Sequence, residues 1–208
     1  MDWPTVASLA TAGGTLVLAM ATFASVRSAN RVARTAERSL QVGIRPTLFP
    51  SRLEDPPVKI MWVDRHWTHV AGGRASVELG EGVIYLAVSL RNVGSGIAVL
   101  HSWYPFAKWD PTVAHEDPAQ FRRLTRDEYV PAGDIGFWQG SLRDPSEPIF
   151  GEMAAAIERQ EMLVIDLLYG DLEGGQRTIS RFSLIPRGES EWLCSVGRHW
   201  NLDRPDPR

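Results

Sequence analysis

The stretch MLVIDLLYG (162–170), DLEGGQ (171–176) and RTISRFSLI (177–185) decides the fold class. An apolar run of strand length meets a turn cluster of Asp, Glu and two glycines. A run with period-two alternation then returns: Thr178, Ser180, Phe182 and Leu184 lie on one side, and Ile179, Arg181, Ser183 and Ile185 on the other. This pattern predicts an antiparallel hairpin closed at Asp171 and Gly174. Asp166, alone among apolar neighbours, is expected to face solvent on a half-buried strand.

A second pair lies upstream. From Val83 to Asn92 the chain alternates, with Ile84, Leu86, Val88 and Leu90 on one face. Gly94-Ser95-Gly96 interrupts it, and Ile97 to Trp103 resumes as a strand. The link is either a hairpin or a corner between sheets. Asn92, Gly94 and Gly96 are structural turn residues in this reading. A phosphate loop would open a helix, and here a strand follows. Shorter strands are predicted at 47–51, 58–63, 75–79, 136–142 and 192–196. Two helical inserts are predicted, Asp117–Tyr129 behind an Asp-Pro start and Pro148–Gln160 with Phe150, Met153 and Ile157 on one face. Many short strands punctuated by Gly and Pro imply a mainly β, antiparallel β-sandwich-like domain over 46–200 with one or two short helical inserts. An open α+β sheet is the alternative. A flexible tail is expected over 201–208.

The other end of the chain has a different grammar. Pro4 to Val26 carries no charge. Its 23 residues give roughly 35 Å of helix against about 30 Å of hydrocarbon. The run is predicted to be a transmembrane anchor over 1–26, with Trp3 as an interface anchor. Arg27, Arg31, Arg34 and Arg38 follow at helical spacing and form a basic juxtamembrane face within a helix and linker over 27–45. No Lys or Arg precedes the run, so charge asymmetry predicts the N-terminus outside and the C-terminal domain on the cytoplasmic side of a bacterial inner membrane. Small residues at 7, 11, 15 and 19 permit a homo-oligomer through this helix. A cleaved signal peptide would need a basic start, and only Asp2 precedes the run.

From residue 46 onward, 17 Lys/Arg stand against 23 Asp/Glu, a net charge of −6. Such a domain is a poor nucleic-acid binder. The single Cys194 excludes an intrachain disulfide. His66 and His69 lie three apart in a segment of strand or loop character, where they face opposite sides, so no metal is predicted. No catalytic residue and no cofactor is predicted, because Ser190, Ser195 and the histidines lack a nucleophile frame. Seven of the eight tryptophans fall in the β region, where they serve either a large core or an exposed interface.

The order of anchor, basic helix, RPTL (45–48), LRNVGSGIA (90–98) and YGDLEG (169–174) resembles a loose group of uncharacterised bacterial single-pass membrane proteins with a small β-rich domain. In that group the asparagine–glycine–glycine strand pair and a tyrosine–aspartate–glycine hairpin recur, and Ile97 stands where proline is more usual. The resemblance implies an anchor and a fold, and no reaction. The sequence therefore leads to the expectation of a non-enzymatic, membrane-anchored interaction or scaffold protein whose partners are the lipid bilayer and another protein. A membrane-proximal hydrolase and an extracytoplasmic ligand-binding domain of inverted topology are the alternatives.

Overall fold

The computed structural model describes residues 2–206 except 109, 111 and 189; at 6, 9, 10, 38, 41 and 42 it describes the backbone only. The chain divides into two compact units, Met1–Val42 and Gly43–Arg208.

The first unit is one helix. Helix α1 runs Trp3–Gly43 without interruption. It stops at Gly43, as the glycine and the following Pro46 dictate. Its hydroxyls turn back on the backbone one turn earlier: Ser8 donates to the Pro4 carbonyl, Thr11 to Ala7, Thr15 to Thr11 and Thr22 to Leu18. Among the described residues, no helix is long and apolar enough to cross a membrane. The physical reason is dilution. Thr11, Gly13, Gly14, Thr15, Thr22 and Ser25 surround the apolar block Leu16–Met20, and Arg27 closes it. The side chains of Val6, Leu9 and Ala10, which belong to the expected span, lie outside the described residues, as does that of Arg38.

The second unit is mainly β. Its strands are β1 (Leu48–Pro50), β2 (Val58–Met61), β3 (Trp67–Val70), β4 (Arg74–Gly80), β5 (Val83–Asn92), β6 (Ala98–Phe106), β7 (Arg122–Val130), β8 (Ile135–Leu142), β9 (Leu163–Gly170), β10 (Thr178–Arg187) and β11 (Glu191–Asn201). Nine of them form one antiparallel sheet, and β2 and β3 form a separate hairpin. Along the sheet the order is β7-β6-β9-β10-β11-β4-β5-β8. Strand β5 has β4 and β1 end to end on one edge and β8 on the other. The two outermost strands, β7 and β8, are consecutive in the chain and joined at Pro131–Asp134. The sheet is thus open and curled, a half-barrel, rather than two facing sheets. The mainly β, antiparallel content that was expected is present, carried by one curled sheet.

The hairpin at 162–185 forms with Thr178 opposite Tyr169 and Leu184 opposite Leu163. Asp171 closes it, accepting from the Gly175 amide at 2.8 Å and from Gln176 Nε2 at 3.1 Å. Gly174 takes φ +72°, a conformation that side chains resist. The upstream link proves to be the corner, because β5 and β6 do not pair. Asn92 sits at its centre with no exposed surface. Its Oδ1 accepts from the amides of Thr47 (3.1 Å) and Gly94 (3.0 Å), and its Nδ2 donates to the carbonyls of Gly96 (2.6 Å) and Val130 (3.0 Å). A methyl group added at Gly96 would overlap the Ile44 carbonyl. The glycine is required because the domain's first residues pass directly against it.

Helix α2 (Pro148–Glu158) starts on a proline in its first turn and buries Phe150, Met153, Ala156 and Ile157 in the main core. That core also takes Ile84, Leu86, Val88 and Leu90 of β5 and the odd-numbered residues 163–169 of β9. The expected helix over 117–129 is not there. A single 3₁₀ turn, Pro118–Gln120, follows the Asp117 cap, and β7 takes the rest. The competing signal was period two, with Leu124, Glu128 and Val130 turned inward.

Strands β9 and β10 are covered on both faces, so Asp166 does not face solvent. It is fully buried and forms a two-pronged pair with Arg181, whose Nε and Nη2 lie 2.7 Å from its two oxygens. Arg181 also donates to the carbonyls of Val113 and Ala114 and lies 4.9 Å from the ring centres of both Phe106 and Trp200. The covering layer packs Phe121, Leu168, Ile179 and Trp200 together, with Leu202 against them. The tail expected to be free is therefore tied down over 202–206: Leu202 N donates to the Arg177 carbonyl, Arg177 pairs with Asp203, and Asp206 accepts from Asn201 N. Pro207 and Arg208 lie outside the described residues.

Candidate interaction surface

The β2–β3 hairpin lies on the outer side of the sheet, over β5 and β8. Alternation divides its residues. Ile60, Trp62 and Val70 point down and form a second small core with Ala87, Val58, Tyr85 and Phe137. Lys59 and Met61 point away, opposite His69 and Trp67 respectively. The turn is tight. Arg65 adopts φ +68°, and Asp64 Oδ1 accepts from the His66 amide at 3.2 Å.

A polar and aromatic network clamps this hairpin to the sheet. The His66 ring stacks on Tyr85 at 4.1 Å, and its Nε2 meets Glu78 Oε2 at 2.8 Å. Tyr85 donates to Asp64 Oδ2 at 2.5 Å, and Arg143 donates to the same oxygen at 2.8 Å. Arg143 and then Tyr85 hold the Asp64 carboxyl well below the usual carboxylate range, and Asp64 in turn pushes the Tyr85 phenol up. Trp62 Nε1 donates to the Gly140 carbonyl at 3.1 Å, which pins the hairpin to β8. The two histidines of the sequence pattern separate as strand geometry requires: His66 turns inward to Glu78, and His69 stays outside against Trp67. Among the described residues no three His, Cys, Asp or Glu side chains converge on a metal-sized point.

The outward face is unlike the inner one. Trp67 and Met61 are each 53% exposed and Val63 is 75% exposed. Lys59 Nζ lies 4.9 Å over the Trp67 ring. A rigid, exposed tryptophan beside a methionine is the kind of anchor that binding interfaces concentrate. Of the other tryptophans of this unit, Trp62, Trp103, Trp138, Trp192 and Trp200 are buried, and Trp109 lies outside the described residues.

The structure also joins a serine and a histidine that the sequence left apart. Ser180 Oγ lies 2.5 Å from His199 Nδ1 and 2.9 Å from the Tyr169 hydroxyl, which accepts from the Leu48 amide at 3.2 Å. Tyr169 would otherwise keep an orphan O–H, so it donates to Ser180, and Ser180 donates to His199. Burial, then Arg45, pushes the His199 imidazole down. Ser180 has no exposed surface, so this relay ties β9, β10 and β11 together and gives Oγ no route to a substrate. Strand register alone brings these residues together, Ser180 being opposite His199, and no local motif marks them.

Of the predicted membrane-surface residues, Arg27, Arg31 and Arg34 are exposed on α1, and Trp3 is 83% exposed. Asn92, Gly94, Gly96, Asp171 and Gly174 occupy the corner and hairpin described above. No protein-family model matches this chain, and no curated protein matches it.

Proposed function

We propose that the chain is a membrane-anchored interaction protein, held to a bilayer by α1, with the outer face of the β2–β3 hairpin offered to another protein. The observation that carries the reading is the exposure of α1. Leu16, Val17, Leu18, Met20, Phe23 and Val26 are each 54–69% exposed. An apolar run of this size on a water-facing helix calls for a cover. The hydroxyls returned to the backbone lower the cost of placing Ser and Thr in lipid. The uncharged run 4–26 reaches through Val6, Leu9 and Ala10, beyond the residues whose hydropathy falls short. Arg27, Arg31, Arg34 and Arg38 on its C-terminal side favour an inner membrane with the N-terminus outside and the β unit in the cytoplasm. The small-residue stripe at Ala7, Thr11, Thr15 and Ala19 suits self-association within the membrane.

The test uses intact cells and the full chain. Cys194 is a poor reporter, because burial pushes its thiol up. Cysteines introduced by Asp2→Cys and Glu81→Cys, both exposed positions, replace it. A membrane-impermeant maleimide is expected to label the first and spare the second. Release of the chain by alkaline carbonate overturns the anchored reading, and outside labelling at 81 overturns the cytoplasmic placement of the β unit. A photocrosslinking residue in place of Lys59 is expected to give one discrete protein adduct that Trp67→Ala abolishes. An adduct unaffected by Trp67→Ala removes the hairpin from the proposal.

A further inference from the structure

Strand β6 carries a bulge that acts on both its neighbours. Against β9, Leu100 faces Tyr169 and Ser102 faces Leu168, so His101 has no partner of its own. Against β7 the step is larger: Leu100 faces Glu128, and Ser102 faces Arg123. Residues 124–127 therefore arch away from β6 where His101 turns outward. Bulges re-aim side chains in this way, and they gather beside functional sites. The arch opens a cleft of about 680 Å³ that holds His101, Arg123, Asp127 and Arg177 above the apolar side chains of Phe121 and Leu168.

The cleft is shaped for the imidazole. A methyl group placed on Gly170 would lie 3.1 Å from His101 Nε2, so the bare glycine leaves the ring its room. Burial, and then Arg177, pushes His101 down, so at neutral pH it is an uncharged donor and acceptor. Arg177 is oriented by Asp203, with contacts from 2.8 to 3.3 Å, and keeps part of its fork for another acceptor. Arg123 is exposed at the rim. Asp127 is the opposing charge in the cleft and sits on the far side of the arch from Arg123.

We propose that this cleft binds a small amphipathic organic anion, its carboxylate or phosphate on Arg123 and Arg177 and its apolar body on Phe121 and Leu168. The volume falls within the range of small-molecule sites, and the lining, more polar than apolar, sets Arg123, Arg177 and His101 beside the exposed edges of Phe121 and Leu168. Arginine forks suit a planar or tetrahedral anion, and the His101 imidazole adds a further hydrogen-bonding group beside them. Asp127 disfavours an anion at its own end and so fixes the ligand's direction. The site is independent of the hairpin face.

The experiment follows the His101 ring signal of the full chain in detergent by NMR while phenylacetate, phenyl phosphate, inorganic phosphate and benzyl alcohol are added separately. The two amphipathic anions are expected to shift that signal saturably, and the two half-probes to do so at least tenfold more weakly. Arg123→Gln is expected to weaken phenyl phosphate about tenfold, which corresponds to about 1.4 kcal/mol, and Asp127→Asn to tighten it severalfold. Both residues are exposed, so unchanged melting separates loss of binding from loss of fold. Partition into micelles is insensitive to either substitution. An unmoved His101 signal overturns the proposal, as does binding indifferent to both substitutions or inorganic phosphate binding as well as phenyl phosphate.

Discussion

Glu128 gives the sharpest quantitative test of this fold, because a carboxyl is buried on β7 beside Gln139 of β8. It is 6% exposed. One oxygen reaches Arg126 only at 3.4 Å; the other has no hydrogen-bond partner among the described residues. Burial pushes the carboxyl up to about 7 from an ordinary 4.5, against the pull of Arg126 and the Gln139 amide. The unfolded chain therefore gives up this proton at lower pH than the folded one does. Below about 4.5 both states hold it, and its contribution to stability is fully present. As pH rises toward 7 the unfolded state ionises first, and stability falls by about 3 kcal/mol, at 1.36 kcal/mol for each pH unit of separation. Glu128→Gln keeps the shape and an acceptor, and cannot ionise. Urea unfolding of both proteins, followed by tryptophan fluorescence from about pH 5 to about pH 8, measures the difference directly. Other groups titrate equally in both proteins and cancel. At an m-value of about 2 kcal/mol per molar, the variant's midpoint is expected to exceed the wild type's by roughly 1.5 M at the alkaline end and to converge with it toward acid. Parallel midpoints across the range would refute the reasoning and leave Glu128 ionised and solvated on β7.

Three further outcomes follow from packing. Arg181→Met strands the buried Asp166 carboxylate and is expected to cost about 3–5 kcal/mol, whereas the double variant Asp166→Leu/Arg181→Met recovers most of that; denaturant midpoints of the two separate pair from packing. Asn92→Ala removes four hydrogen bonds at the corner and is expected to cost roughly 4 kcal/mol, with the amides of Thr47 and Gly94 losing hydrogen-exchange protection first. Met153→Ala opens a cavity where α2 meets the sheet and is expected to lower stability by about 2–5 kcal/mol in the same assay.

What could be read from residues alone follows from where the signal is stored. The hairpin at 162–185 and the alternation of β5 were legible because each is a local period closed by local turn chemistry. Asn92 and Gly96 were legible as a turn, but not as the point where Ile44 to Thr47 crosses, because that contact is made by chain far upstream. Segment 122–130 was misread because Asp-Pro is a genuine capping signal, and the cap spends itself in one 3₁₀ turn. Asp166 was misread for a more general reason. A half-buried strand and a doubly covered one differ only in what packs on the second face, and here that layer comes from residues scattered between 104 and 202. Its partner Arg181 held the clue, since a charge at each of two adjacent strand positions in apolar surroundings is cheaper as a pair than as two solvated intrusions. The same logic explains why neither the His101 cleft nor the Ser180–His199 relay has a motif. One depends on a bulge that displaces four residues of β7, and the other on a register that sets two residues nineteen positions apart opposite each other. Sites that sheet register assembles have to be found by pairing strands first and asking only then which side chains meet.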